Sequence, residues 1–212
     1  MKRYVLTLQS ITNSKDYYTF RFDKPNGLSF EPGQYGVFLH VDKDIEGRRM
    51  RAFTFASDPT DKVLEISTII VDEPSDFKAK MKALQPGDTM TVDGPMGRFT
   101  LDPDEEAVFI TTGIGITPVA SIATGRIPKP MTLHYHEAED NHLYTDRFDN
   151  EHLTVHLYSS LQEMTSAIKH NHNIQAMYYI SGPMSFVGKI TELLQTIGID
   201  KDHMKSERFT GY

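Results

Sequence analysis

In the segment Arg51-Ala52-Phe53-Thr54-Phe55-Ala56-Ser57 a guanidinium, two aromatic rings and a hydroxyl recur at close spacing. On an extended strand Arg51, Phe53 and Phe55 share one face, and Ala52, Thr54 and Ala56 share the other. A strand-borne arginine can hold a phosphate by charge-assisted hydrogen bonds. A ring beside it can cover a planar ring system, and a threonine hydroxyl can donate to a ring nitrogen or oxygen. Taken alone, such a segment is more often an amphipathic strand with a surface arginine and a core phenylalanine. The dense basic run at 48–51 has two readings, a solvated strand end or an anion contact.

A second stretch, Thr111-Thr112-Gly113-Ile114-Gly115-Ile116-Thr117-Pro118, joins an apolar run to a helical pattern. Glycines there let the backbone approach a phosphate, and a helix start offers N–H groups to an anion. Pro118 suits the first helical turn. A tight strand-to-helix connection accounts for the same residues, and the three-glycine dinucleotide fingerprint is incomplete because its third place is Pro118. His134 and His136 share a strand face near Glu137 and His142, a set with metal-ligand chemistry. Histidines with ordinary hydrogen bonds are the commoner outcome, and no metal site is expected. The run His170-Asn171-His172-Asn173 reads as a polar turn.

These residues need elements to position them. Residues 5–11, 17–22, 34–41, 51–57, 63–70 and 89–94 are short, rich in β-branched and aromatic types, and separated by turn signals. Six such strands predict a small antiparallel β-barrel. Within this half, Ser75 and Asp76 precede Phe77, Met81 and Leu84 at helical spacing, which predicts one N-capped helix. After Asp102-Pro103 the period changes. Apolar strands at 107–112, 131–136, 153–159 and 177–181 alternate with helical patterns at 117–123, 161–170 and 184–198, the signature of a parallel sheet wrapped by helices. The expected architecture is therefore two domains, a β-barrel with one helix over 1–102 and an α/β nucleotide-binding sheet over 103–212.

Composition bounds the chemistry. The 212 residues, 39% hydrophobic and 24% charged, suit two globular domains. The absence of cysteine excludes disulfides, thiolate zinc and cysteine-held iron–sulfur clusters within this sequence. The net charge of −7 argues against nucleic-acid binding. The first twenty residues lack the apolar core of a signal peptide, and no apolar run is long enough to span a bilayer. A cytoplasmic protein without a membrane partner is expected.

Taken in order, the motifs resemble the ferredoxin–NADP⁺ reductase superfamily. Arg51-Ala52-Phe53-Thr54 is similar to its Arg-x-(Tyr/Phe)-(Ser/Thr) motif, and Pro32-Gly33-Gln34 to its early strand signature. The run Gly94-Pro95-Met96-Gly97-Arg98-Phe99 resembles its interdomain link, and Gly113 to Pro118 its nicotinamide-dinucleotide turn. Ser181-Gly182-Pro183 and the closing Glu207-Arg208-Phe209-Thr210-Gly211-Tyr212 complete the series, which covers essentially the whole chain.

The resemblance implies FAD on the first domain and NADH or NADPH on the second. Arg51 is implied to contact the FAD pyrophosphate, Phe53 to cover the flavin or its ribityl chain, and Thr54 to lie near flavin N5. Ser67 is implied among the FAD contacts. The segment containing Ser75, Phe77 and Lys78 is implied to supply backbone N–H groups to the pyrophosphate, which requires the Asp76 carboxylate to point away. Thr112, Gly113, Gly115, Thr117 and Pro118 are implied to bind the pyridine nucleotide, with Ser181, Gly182 and Pro183 beside the nicotinamide. Phe209, with Tyr212 as its rival, is implied to stack on the second flavin face and to give way to nicotinamide. Thr54, Glu207 and Phe209 are the implied catalytic residues.

Two positions depart from the family pattern. Ser181 replaces a common cysteine. The Ser and Arg that often mark a 2′-phosphate site are missing after residues 131–136, where Glu137 stands instead. A carboxylate bonds a ribose 2′-OH and repels a phosphate, which favours NADH unless His134 or His136 is cationic. The expected activity is hydride transfer from NAD(P)H to FAD, with electrons passing to a separate acceptor such as ferredoxin, flavodoxin or a small molecule. A non-catalytic flavin-binding regulator, a reductase of free flavin and a histidine metalloprotein remain as alternatives. Oligomeric state is not legible.

Overall fold

A computed structural model describes residues 2–41, 44–125, 129–139 and 141–209. The chain divides into two compact units, one running to Thr100 and the other beginning at Leu101.

The first unit holds strands β1 (Lys2–Ser14), β2 (Tyr17–Asp23), β3 (Tyr35–His40), β4 (Met50–Thr54), β5 (Val63–Ile69) and β6 (Thr89–Met96), and the short helix α1 (Asp76–Lys82). They form one antiparallel sheet in the order β4-β3-β6-β1-β2-β5. Period-two alternation sends Leu6 and Leu8, Phe20 and Phe22, Leu64 and Ile66, and Met90 and Val92 into a shared core. Each such aliphatic or aromatic side chain contributes roughly 1.5–3 kcal/mol by leaving water, so this core dictates strand register. The sheet curls until its edges meet just past β4. There the Ala56 N–H donates to Glu65 O at 2.8 Å, and the Glu65 N–H donates to Ser57 Oγ at 3.1 Å. Phe77 and Met81 of α1 seal one side of this core.

The second unit holds strands β7 (Ala107–Thr112), β8 (Met131–His136), β9 (Leu153–Tyr158), β10 (Met177–Pro183) and β11 (Met204–Phe209), with helices α2 (Thr117–Thr124), α3 (Leu161–His170) and α4 (Met184–Thr196). All five strands are parallel, in the order β11-β10-β7-β8-β9. Strand β10 is buried through Gly182 and β7 at Phe109, Ile110 and Thr111, as befits inner strands covered on both faces. Ile110, Tyr178 and Ile180 pack with Met164 and Ile168 of α3 and with Val187, Ile190 and Leu194 of α4. Phe109 and Tyr179 stack on each other, with ring centroids 4.9 Å apart.

Strand order fixes where a ligand can enter this unit. The chain steps outward from β7 to β8 and β9, then returns to the other side of β7 as β10. The direction of winding reverses between β7 and β10, and beyond the carboxyl ends of such a pair open α/β sheets leave a crevice.

Candidate functional site

Each unit contributes its own group of residues, beginning with the first. β4 is an edge strand bonded only to β3, so its last residues are held on one side only. Phe53 and Phe55 both join the core; Phe53 lies 5.4 Å from the ring of Phe38 and 6.3 Å from that of Phe77. Arg51 shares their face, and its guanidinium sits 5.3 Å over the ring of Phe77. Its Nη1 donates to Arg48 O at 2.7 Å and Met50 O at 3.0 Å, and its Nη2 to Ser75 Oγ at 3.3 Å. Among the described residues no carboxylate pairs with it. Partial burial first, then the charge of Arg48, lowers its pKa.

A second cation lies nearby. Lys78 is buried, and its Nζ donates to Ile69 O at 2.8 Å. Desolvation, then the charge of Arg51, depresses its pKa to about 8. Two cations held this close repel each other, an arrangement that an anion would relieve. Asp76 does not cancel them. Its Oδ2 accepts from Lys80 Nζ at 2.7 Å and from the Glu46 N–H at 2.7 Å, and the bond to Lys80 is the first cause of its lowered pKa. Ser75 occupies the helix N-cap place but makes no side-chain cap bond, contrary to the capping expected; its hydroxyl turns to Arg51 instead.

Thr54 is 3% exposed, and its buried Oγ1 has no hydrogen-bond partner among the described residues. Such a group costs about 1–3 kcal/mol unless something fills its valence. Ser67 is buried too, but its hydroxyl lies 2.6 Å from that of Thr19.

In the second unit the glycine turn is a single 3₁₀ turn over Gly113–Ile116 that runs into α2. Gly113 has φ +54, a left-handed value that glycine adopts freely. Gly115 serves packing. A Cβ there would lie 2.5 Å from Ser181 O and 2.8 Å from Thr111 Oγ1. The Ser181 hydroxyl is fully buried and donates to Gly115 O at 2.7 Å, so it is committed to joining the turn to β10. Thr117 donates to Ile114 O at 3.1 Å, and Pro118 is buried in the first turn of α2. Thr112, Gly113 and Pro183 are the partly exposed members of this set.

Across the sheet Thr111, Ser181 and Glu207 stand in register on β7, β10 and β11. Strand β11 lies outside the elements foreseen. Its residues show no period-two alternation, with Met204 and Phe209 the only apolar types, and pairing with β10 makes it a strand. Glu207 Oε2 is buried without a partner among the described residues, and desolvation raises its pKa from 4.5 to about 7. Phe209 ends β11, half-buried; Tyr212 lies outside the described residues.

On β8, His134 is buried between His156 and Tyr158, stacked at 5.1 and 5.8 Å, with Nδ1 3.0 Å from the Tyr158 hydroxyl. Desolvation, then His156, lowers its pKa to about 4, so it is neutral at physiological pH. His136 Nδ1 lies 2.9 Å from Thr112 Oγ1, and its pKa is also lowered, chiefly by desolvation. Glu137 follows at the carboxyl end of the strand, half-buried. Among the described residues no group of three or more His, Asp or Glu side chains gathers to hold a metal, and no helix is long and apolar enough to cross a membrane.

An antiparallel curled sheet whose fourth strand carries Arg51 and the buried Thr54 hydroxyl is followed by a parallel sheet with a glycine turn at its reversal point, a two-domain architecture suited to a flavin and a nucleotide. Residues 4–101 match the family of oxidoreductase FAD-binding domains. The match covers the first unit, and the two-domain fold as a whole is that of ferredoxin–NADP⁺ reductases.

Among curated proteins it is 26% identical over 242 residues to the glycine betaine monooxygenase reductase subunit of Pseudomonas aeruginosa, covering 97% of this chain and 63% of that protein. It is 23% identical over 228 residues to one subunit of the Na⁺-translocating NADH-quinone reductase of Mannheimia succiniciproducens, covering 90% of this chain and 56% of that protein. The chain thus spans less than two thirds of the length of these relatives. Among solved structures, a ferredoxin–NADP⁺ reductase from Neisseria gonorrhoeae with bound FAD and NADP has the same fold, with TM-score 0.81 at 18% identity over 98% of this chain and 99% of that one. The reductase from Plasmodium falciparum superposes with TM-score 0.82 at 18% identity over 97% of this chain and 95% of that one.

Proposed function

We propose that this chain oxidises NADH through bound FAD and passes the electrons to a separate acceptor, either a redox protein of the ferredoxin or flavodoxin kind or a small molecule. Residues 1–102 serve as the FAD domain and 103–212 as the pyridine-nucleotide domain. The observation that carries this reading is the Thr54 hydroxyl, buried and unpartnered, on the same short strand as an arginine with no acidic partner among the described residues. That combination suits a ligand with a hydrogen-bonding ring at one end and an anion at the other.

When bound, FAD supplies the electronic chemistry, accepting a hydride equivalent and releasing electrons singly or in pairs. Arg51 and Lys78 supply positive charge to the diphosphate, and the first residues of α1 (Ser75 and Phe77 with Lys78) approach it with backbone N–H groups. Asp76 stays compatible because Lys80 and the Glu46 N–H hold its carboxylate. Phe53 and Ser67 give a firm floor, being locked into the core and onto Thr19. Thr54 offers its hydroxyl to the flavin ring edge.

Thr112, Gly113 and Pro183 line the nucleotide turn, while Gly115, Thr117, Pro118, Ser181 and Gly182 set its shape. Glu207 is poised near neutrality to hold or release a proton, and Phe209 or Tyr212 covers the flavin. Glu137 accepts from the ribose 2′-OH. With His134 neutral and His136 shifted the same way, nothing on this strand offsets the repulsion between Glu137 and a 2′-phosphate.

The test is anaerobic mixing of FAD-loaded protein with NADH and NADPH in parallel, following loss of flavin absorbance. Retained FAD that bleaches faster with NADH supports the reading. Failure to retain FAD, or no bleaching with either nucleotide, rejects it, and faster bleaching with NADPH reverses the coenzyme assignment.

A further inference from the structure

Tyr135 is fully buried on β8, and its phenol joins two segments that are distant in sequence. The hydroxyl donates to Gly113 O at 3.3 Å, on the first residue of the glycine turn. It accepts from the Leu143 N–H at 3.1 Å, in the excursion between β8 and β9. His142 presents its ring edge-on to Tyr135, with centroids 4.8 Å apart and planes at 87°. The residue after Leu143, Tyr144, takes a left-handed φ of 62, and the Arg147 guanidinium lies 4.4 Å over its ring. The excursion leaves β8 at Glu137, so one phenol clips its path to the turn.

We infer that Tyr135 is a positioning residue for pyridine nucleotide, setting the distance between the glycine turn and the segment that begins at Glu137. The inference rests on the reading that this turn and Glu137 hold the diphosphate and the adenosine ribose. A dinucleotide must satisfy both ends at once, so a wandering excursion lowers its affinity without touching any atom of the ligand. The hydroxyl is suited to this work because it satisfies one carbonyl and one N–H simultaneously; phenylalanine fills the same volume and restores neither bond.

The experiment compares FAD-loaded wild type with Tyr135→Phe and Tyr178→Phe. Tyr178 is a matched control: it is also buried, its hydroxyl also accepts from one N–H and donates to one carbonyl, both of Asn173, and it lies at the opposite end of the sheet. NAD⁺ affinity by calorimetry and amide hydrogen exchange are measured on all three. The expected result is a loss of about tenfold in NAD⁺ affinity for Tyr135→Phe alone, with faster exchange at Leu143 and across Gly113–Ile116 and unchanged flavin content. Equal affinity in wild type and Tyr135→Phe, or equal losses in both variants, overturns the inference. If wild type itself binds no nucleotide, the site assignment fails. Exchange then still decides the clip: acceleration confined to Tyr135→Phe supports it, and unchanged exchange rejects it.

Discussion

The guanidinium of Arg51 lies 5.3 Å over the ring of Phe77 while its Nη2 reaches the Ser75 hydroxyl, so a strand and a helix start share one cation. The arginine is preorganised by a ring and by carbonyls, none of which neutralises it. If it holds the FAD diphosphate, Arg51→Ala removes a charged hydrogen bond worth about 1.5–3 kcal/mol and weakens FAD at least tenfold. Flavin-to-protein absorbance after dialysis reads this directly. Full retention of flavin by the variant would count against the assigned role.

Thr54→Val separates folding from function. The swap removes the one unpartnered polar atom of this side chain and keeps its shape, so the flavin-free protein should be no less stable and up to about 1 kcal/mol more so. Bleaching by NADH should slow by about tenfold if the hydroxyl serves the ring edge. Thermal unfolding and stopped-flow absorbance check the two halves; a variant that loses stability and keeps its rate contradicts both.

Gly115→Ala tests packing at the turn. The new Cβ would stand 2.5 Å from the Ser181 carbonyl oxygen, a backbone atom with little freedom to move. A destabilisation of about 1–3 kcal/mol is expected in urea titration. Gly198→Ala meets no neighbouring atom but has φ +90, so any loss there comes from backbone strain alone.

Two buried groups give opposing pH dependences. The Glu207 carboxyl has its pKa raised from 4.5 to about 7 on folding. The native state therefore holds the extra proton, and stability falls as pH rises through that window. His134 goes from 6.5 down to about 4. There the unfolded state holds the extra proton, and stability rises with pH between those values. The two act in opposite directions over overlapping pH windows, so each masks the other. Glu207→Gln should expose a rise in stability from pH 4 to 6.5, and His134→Gln a fall from pH 4.5 to 7, both read from urea midpoints. Flat profiles in both variants would contradict the burial argument.

Glu137→Gln should narrow the preference for NADH over NADPH, because the amide still bonds a 2′-OH but no longer repels a 2′-phosphate. The ratio of kcat/KM for the two nucleotides is the readout. An unchanged ratio would place coenzyme selection elsewhere.

Sequence alone determined the two kinds of sheet. Alternating apolar residues at 5–11 and 17–22 make one-sided strands, whereas the continuous apolar runs at 107–112 and 177–181 make strands buried on both faces, because hydrophobic period follows backbone geometry. The ordered motifs in the first half, from Pro32 to Phe99, also pointed to the FAD-binding domain that residues 4–101 match. Tertiary structure decided what each side chain is free to do. It committed the Ser181 and Thr117 hydroxyls to holding the turn, left that of Thr54 without a partner among the described residues, turned Ser75 from capping toward Arg51, and made a strand of 204–209 by pairing it with β10. It also closed the Gly113–Tyr135–Leu143 link, whose members are separated by 22 and 8 residues. Hydrogen-bond partners and burial depend on groups far apart in the chain, and local pattern carries no record of which of them will meet.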